Sequence, residues 1–156
     1  MTPVAVTTTE APLELVLNRR FDAPRSLVFD AWTNPETPVG WWGPKGFTLE
    51  FDEKDLRIGG RWRLGMRAPD GTVHVNGGVY REIVAPERLV MTHGWEGQDG
   101  RLANETLVTI TLTEQDGGTE MVFEQTGFDS AGSRDGHGQG WGEAFDALGE
   151  ALASAR

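Results

Sequence analysis

The closing stretch of the chain carries the pattern that most limits its fold. From Trp141 onward, apolar side chains fall at Trp141, Ala144, Phe145, Leu148, Ala151, Leu152 and Ala155, the three-and-four spacing that gathers one stripe along a helix. Glu143, Asp146, Glu150 and Ser154 take the opposite side. A striped helix must bury its apolar side, and nearly everything from Phe47 to Phe128 reads as short alternating strands. The expected partner is therefore the concave face of one antiparallel sheet. Burying Trp141, Phe145, Leu148 and Leu152 contributes about 1.5–3 kcal/mol each. Against this stand Gly132, Gly136, Gly138, Gly140, Gly142 and Gly149, each costing up to about 1 kcal/mol inside a helix. The first half of the segment is expected to be weakly helical or frayed.

Ahead of this helix, Leu13, Leu15, Leu17 and Phe21 alternate with polar residues as in a strand with one buried face. Asp22 is positioned to cap a helix carrying Leu27, Val28, Phe29, Ala31 and Trp32, with Pro24 in its first turn. The helix should stop at Asn34, because a residue before proline is driven out of helical geometry. Asn34 then caps a second short helix toward Val39, and Trp41-Trp42-Gly43-Pro44 closes the unit. Two adjacent tryptophans cannot face one side of an extended chain, which places one of them at the surface or over an opening. Six further strands follow, centred on Phe47–Phe51, Trp62–Met66, Val73–Val84, Leu89–Trp95, Thr106–Leu112 and Met121–Gln125. Asp70-Gly71 predicts a type I′ turn and Asp116-Gly117 another hairpin, while Gly77-Gly78 marks a bulge. The order is strand, two short helices, six strands and a long helix. This is an α+β helix-grip architecture, a curved antiparallel sheet wrapped around the C-terminal helix.

Composition removes several functions. With 14 basic against 24 acidic residues the formal charge is −10, which repels nucleic acid and anionic membrane surfaces. The absence of cysteine excludes disulfides, thiolate metal sites and a cysteine nucleophile. No run approaches the roughly 18 apolar residues of a membrane span, and the first residues lack the features of a secretory signal. The reading is a cytoplasmic protein with a flexible tail over residues 1–12 and a single domain over 13–156.

Phe21-Asp22-Ala23-Pro24-Arg25, Trp41-Trp42-Gly43-Pro44, the run Asp55 to Trp62, Gly78-Val79-Tyr80-Arg81-Glu82-Ile83, Pro86-Glu87-Arg88-Leu89 and Gly140-Trp141 form an ordered series that resembles the START-like (SRPBCC) superfamily. The match is closer to its branch similar to the C-terminal domain of the activator of the heat-shock protein ninety ATPase, and it extends from about Leu13 to Leu152. The resemblance implies a helix-grip fold with a hydrophobic cavity. Through the family name alone it implies a chaperone partner, for which no surface is marked in the sequence.

Polar residues in phase with an apolar strand face are the ones to examine, because an enclosed polar group needs a partner or a ligand. His93 is in register with Leu89, Met91 and Trp95, and Gln125 with Met121 and Phe123. A cavity lined by Phe51, Trp62, Met66, Met91, Phe123, Trp141 and Phe145, with His93 and Gln125 as orienting groups and with Trp41, Trp42 and the glycines ahead of Trp141 as a flexible rim, suits a small hydrophobic or aromatic ligand. The alternative is an ordinary core in which both polar groups are satisfied by backbone or water. Tyr80 and Glu82 share a phase with His74 and Asn76, and the resemblance to START-like cyclases raises a cyclase- or hydrolase-like enzyme as a rival, with His93 or Tyr80 and Glu82 as acid or base and the charged members solvated as the competing reading. Asp55 and Arg57 are read as a structural pair across a turn. His137, beside Asp135, has no second ligand at metal-binding spacing. No serine sits in a nucleophile motif, and nothing marks a cofactor or metal. Binding ranks above a chaperone module and above an enzyme; homodimerisation stays open.

Overall fold

The structure is a computed structural model and describes residues 13–34, 41 and 43–154. The expected N-terminal tail, the second short helix beyond Asn34 and Trp42 lie outside the described residues. Strand β1 (Leu13–Phe21) leads into helix α1 (Arg25–Thr33), followed by β2 (Thr48–Lys54), β3 (Arg61–Arg67), β4 (Val73–Val84), β5 (Arg88–Glu96), β6 (Leu102–Gln115), β7 (Gly118–Phe128) and helix α2 (Ala131–Ser154). The strands form one seven-stranded sheet in the order β1-β7-β6-β5-β4-β3-β2, every described pair antiparallel. It curves around α2, the expected helix-grip arrangement. No helix among the described residues is long and apolar enough to cross a membrane.

Local chemistry explains the elements and their departures from expectation. Asp116 and Gly117 both take positive φ, 53° and 79°, and join the paired Gln115 and Gly118, the two-residue turn that matches strand twist. At Asp70-Gly71 only Gly71 is left-handed (φ 91°), and its N–H bonds the Ala68 carbonyl at 2.8 Å. Pro69 sits inside this turn and widens the loop beyond the expected type I′ pair. Asp22 does not cap α1. Pro24 is the N-cap without a side-chain bond, and Asp22 instead lies 3.6 Å from Arg20. The helix ends at Asn34, whose N–H bonds the Asp30 carbonyl at 2.8 Å, immediately before Pro35.

The glycine-rich start of α2 is continuous helix, not frayed. Ser130 opens it: Ser133 N–H bonds the Ser130 hydroxyl at 3.0 Å and Arg134 N–H the Ser130 carbonyl at 3.1 Å, satisfying donors that a helix start leaves unpaired. Tertiary contact supplies the rest. A Cβ on Gly138 would stand 3.1 Å from Leu15 Cδ1, so glycine lets the helix approach β1 closely. Packing therefore outweighs intrinsic propensity, as it does in most helices of folded proteins.

The bulges are also displaced from the positions expected. Gly77-Gly78 keeps its ladder, with Gly77 opposite Gly94. A Cβ on Gly78 would stand 1.9 Å from the Thr92 carbonyl oxygen, so these glycines serve close backbone approach. The register shifts fall between Leu49 and Phe51, between Tyr80 and Glu82, and between His93 and Trp95. At the last, β6 carries the additional residue around Asn104, which takes φ 57°. Such insertions bend and twist a sheet, and here they decide which side chains reach the interior.

Candidate functional site

The space between sheet and helix divides into a filled end and an open end. At the filled end Trp32, Trp41, Phe123, Trp141 and Phe145 interlock, with ring centroids 5.0 Å apart for Trp32–Trp41, 4.8 Å for Phe123–Trp141 and 5.3 Å for Phe123–Phe145. Rings at these separations add attraction beyond their buried area. At the open end lies a pocket of about 390 Å³. Its sheet wall is Met66, His74, Asn76, His93 and Trp95, and its loop wall is Gly43, Pro44 and Phe47. The helix wall is Gly132, Ser133, Gly136, His137, Gly140, Trp141 and Ala144. Gly132, Gly136, Gly140 and Ala144 stand four residues apart and so share one helix face. The near absence of side chains along that face leaves the open volume.

Met66, His93 and Trp141, expected around a cavity, line this pocket. Trp62, Met91, Phe123 and Phe145 do not line it. They are buried around its base and in the filled end, with the Trp62 ring 5.7 Å from His93 and its indole N–H donating to the Thr92 carbonyl at 3.0 Å. Phe51 is placed elsewhere. The register shift beside it pairs Phe51 with Gly65 instead of an inward residue, and Arg63 lies over its ring at 4.8 Å. Trp41 is no rim residue, being buried and edge-on to Trp32.

Gln125 is likewise absent from the lining, and both polar atoms of its amide have partners. Its Nε2 donates to Thr106 Oγ1 at 2.9 Å, and its Oε1 accepts the Trp141 indole N–H at 2.9 Å. The Thr106 hydroxyl donates onward to the His93 carbonyl at 3.3 Å. This chain runs from α2 across β7 and β6 to β5, and it sets the pose of Trp141 against the pocket.

All three histidines of the sequence line the pocket, yet they differ. His74 is exposed near Phe47. His137 is held at both nitrogens, its Nε2 accepting the Trp95 indole N–H at 3.0 Å and its Nδ1–H donating to the Ser133 carbonyl at 2.8 Å. His93 is 1% exposed, and its Nε2 lies 3.0 Å from the Asn76 side-chain nitrogen. His93 Nδ1 and Asn76 Oδ1 are buried with no hydrogen-bond partner among the described residues. Burial, reinforced by neighbouring His137, pushes the His93 pKa down to about 3, so the ring is neutral at physiological pH. No three His, Asp or Glu side chains among the described residues converge on a metal position.

The Tyr80 and Glu82 pair is not assembled. The intervening register shift leaves Tyr80 fully buried, its pKa raised by burial and by Asp52 and Asp55, while Glu82 bonds Arg88 at 2.9 Å. Arg57 and Asp55 form the expected exposed pair at 2.8 Å. A wider groove beside Arg61, Arg63, Glu96 and Arg101 is lined largely by charged side chains. Arg63 is already bound there by both Glu96 oxygens, at 2.5 and 3.0 Å.

Asn76, Phe47 and His137 were not read from the sequence as pocket walls, and the glycines ahead of Trp141, expected as a flexible rim, instead form a helical wall. The four-residue spacing of Gly132, Gly136 and Gly140, continued by Ala144, was the available signal.

A curved antiparallel sheet gripping a C-terminal helix, with a pocket between them, defines a START-like domain. Residues 22–153 match the family described as Activator of Hsp90 ATPase homolog 1-like protein, and the chain belongs to that family. Among solved structures it is similar to a protein from Arthrobacter aurescens, at 26% identity over 98% of this chain and 93% of that one, with a TM-score of 0.83. It is similar as well to a protein from Nitrosomonas europaea, at 28% identity over 94% and 98%, TM-score 0.78. The fold is shared by the AHSA1 protein from Silicibacter pomeroyi, at 24% identity over 92% and 99%, TM-score 0.81. No curated protein matches the chain. Membership supports, in general terms, a ligand-binding or activator-like module.

Proposed function

We propose that the protein holds one small, mainly apolar or aromatic molecule in the pocket between sheet and α2. The observation that carries this reading is a pocket walled by Phe47, Met66, Trp95 and Trp141 and holding the buried His93–Asn76 pair, with a polar atom of each lacking a partner. Large apolar contact with a few polar groups in the wall is what small-molecule sites require. Binding is favoured over acid–base chemistry, because a histidine held neutral down to about pH 3 is a weak proton acceptor near neutrality.

The test is to fill the pocket from the helix. A Cβ on Gly136 meets nothing within 4 Å, and the same is true of Gly142, which does not line the pocket. Replacing a helical glycine by a good helix former gains up to about 1 kcal/mol, or roughly 2–4 °C in melting temperature for a domain of this size. Gly136→Leu and Gly142→Ala should therefore both melt no lower than the wild type. Ligands found by thermal shift and ligand-observed NMR across lipids and small aromatics should bind Gly136→Leu at least about tenfold more weakly and Gly142→Ala unchanged. A wild type that no compound stabilises, or equal binding by Gly136→Leu, counts against the reading.

A further inference from the structure

We infer that the pocket is entered through its loop wall: the turn over residues 44–47 swings outward on Gly43, and the Glu143 carboxylate holds it closed. The inference goes beyond the binding reading above, since it concerns which wall yields and not what is held.

The three walls differ in what holds them. Met66, His74, Asn76, His93 and Trp95 sit in the paired strands β3, β4 and β5, and the helix wall belongs to α2, whose later residues Phe145, Leu148 and Leu152 are in the core. Moving either wall breaks several backbone bonds at once. The loop wall is bound differently. Phe47 N–H closes the turn on the Pro44 carbonyl at 3.1 Å, so residues 44–47 form a compact unit. Among the described residues, one hydrogen bond ties residues 43–47 to another part of the chain: Lys45 N–H donates to Glu143 Oε1 at 2.8 Å. The remaining ties are contacts between apolar surfaces. A Cβ on Gly140 would stand 3.5 Å from Pro44 Cγ, so the turn rests on the bare face of α2. Segments held by so few bonds are the ones that open locally before the rest of a fold.

Gly43 supplies the hinge. It takes φ 114° immediately before the turn, and a residue without a Cβ absorbs backbone rotation there at little steric cost. It also covers Met66. A Cβ on Gly43 would stand 2.6 Å from Met66 Sδ, and Met66 is only 3% exposed, so its sulfur reports whether the turn has lifted. Glu143 is placed as the clasp by its own helix, since the Gln139 amide nitrogen one turn earlier donates to its other oxygen at 3.4 Å.

The test is methionine oxidation of the full chain by dilute hydrogen peroxide at neutral pH, read by peptide mass spectrometry; peroxide passes one oxygen to the thioether and leaves as water. In Glu143→Ala the Met66 sulfoxide should form about threefold faster or more, the change that one net hydrogen bond supplies. Met91 and Met121 are 2% and 0% exposed and do not line the pocket, so their rates should stay at the wild-type values. Glu143→Gln keeps an oxygen that accepts the Lys45 N–H and should oxidise close to the wild-type rate. The route itself is read with 2-methylnaphthalene by ligand NMR line shapes: Glu143→Ala should speed both its entry and its release while the Kd moves by less than about twofold. Unchanged Met66 oxidation in Glu143→Ala, an equal rise at Met91 and Met121, or unchanged probe exchange overturns the inference and leaves the pocket reading standing. A probe that does not bind the wild type counts against the pocket reading, and Met66 oxidation then decides by itself whether the turn opens.

Discussion

Trp141→Ala is expected to destabilise the protein by about 3–5 kcal/mol, the range for deleting a large buried aromatic side chain. The Trp141 ring lies 4.8 Å from Phe123, 5.7 Å from Trp32 and 5.7 Å from Phe145, and each of those contacts opens onto a void when it is removed. Its indole N–H satisfies Gln125 Oε1 at 2.9 Å, so truncation also strands a buried acceptor. Trp141→Phe separates the two contributions: it keeps most of the packing and leaves only the unpaired amide oxygen, for a loss of about 1–3 kcal/mol. Urea unfolding at neutral pH measures both. A loss under about 1.5 kcal/mol for Trp141→Ala is incompatible with the filled end as the anchor of the helix. The same substitution also removes a wall of the pocket, so ligand-dependent stabilisation should vanish with it.

Mild acid should weaken the fold through one residue. In the folded protein His93 stays neutral to about pH 3, whereas an unfolded histidine takes up its proton near 6.5. Between these values the unfolded chain binds a proton that the folded chain does not, so stability is complete above about pH 6.5 and falls as the pH drops through that window. At about 1.4 kcal/mol per pH unit, the loss from pH 6.5 to 5 is about 2 kcal/mol. Other depressed groups act lower. Glu50 is held below the usual carboxylate range by its hydrogen bonds to Arg67, Asp70 by the Thr72 N–H, and Glu96 by Arg63, and all three concern the region around and below pH 4.5. Unfolding of the wild type and of the double variant Asn76→Leu with His93→Phe at pH 7 and pH 5 isolates the contribution: the variant should lose about 2 kcal/mol less than the wild type. Identical losses would place the proton elsewhere.

Most of the architecture could be read from periodicity. The alternation of Leu13, Leu15, Leu17 and Phe21, the Asp116-Gly117 turn and the stripe from Trp141 to Leu152 each obey a local rule that the tertiary structure leaves intact. The candidate site was less legible, because its membership depends on register. A single additional residue between Leu49 and Phe51 turns Phe51 toward Arg63, and another between Tyr80 and Glu82 separates a pair that shares a phase on paper. His93 stood out because it was polar among apolar neighbours in its own strand. Its partner Asn76 comes from the adjacent strand β4, and cross-strand pairing cannot be read from one segment alone. Gln125 stood out for the same reason as His93, yet it is bonded to Thr106 and Trp141. A polar outlier on a buried face therefore identifies a network, and only the geometry distinguishes a member that is satisfied from one that is not. The glycines of α2 were weighed by propensity and as a flexible rim, when their consequence was volume.

That volume lies mainly against the first half of α2, from Gly132 to Trp141, while the second half, through Phe145, Leu148 and Leu152, sits in the core. One rod thus performs separable duties at its two ends. Exchanges at positions 132, 136 and 140 alter the shape of the chamber without touching the residues that anchor the rod, so natural variation or deliberate redesign can retarget the chamber to a differently shaped guest while the scaffold survives.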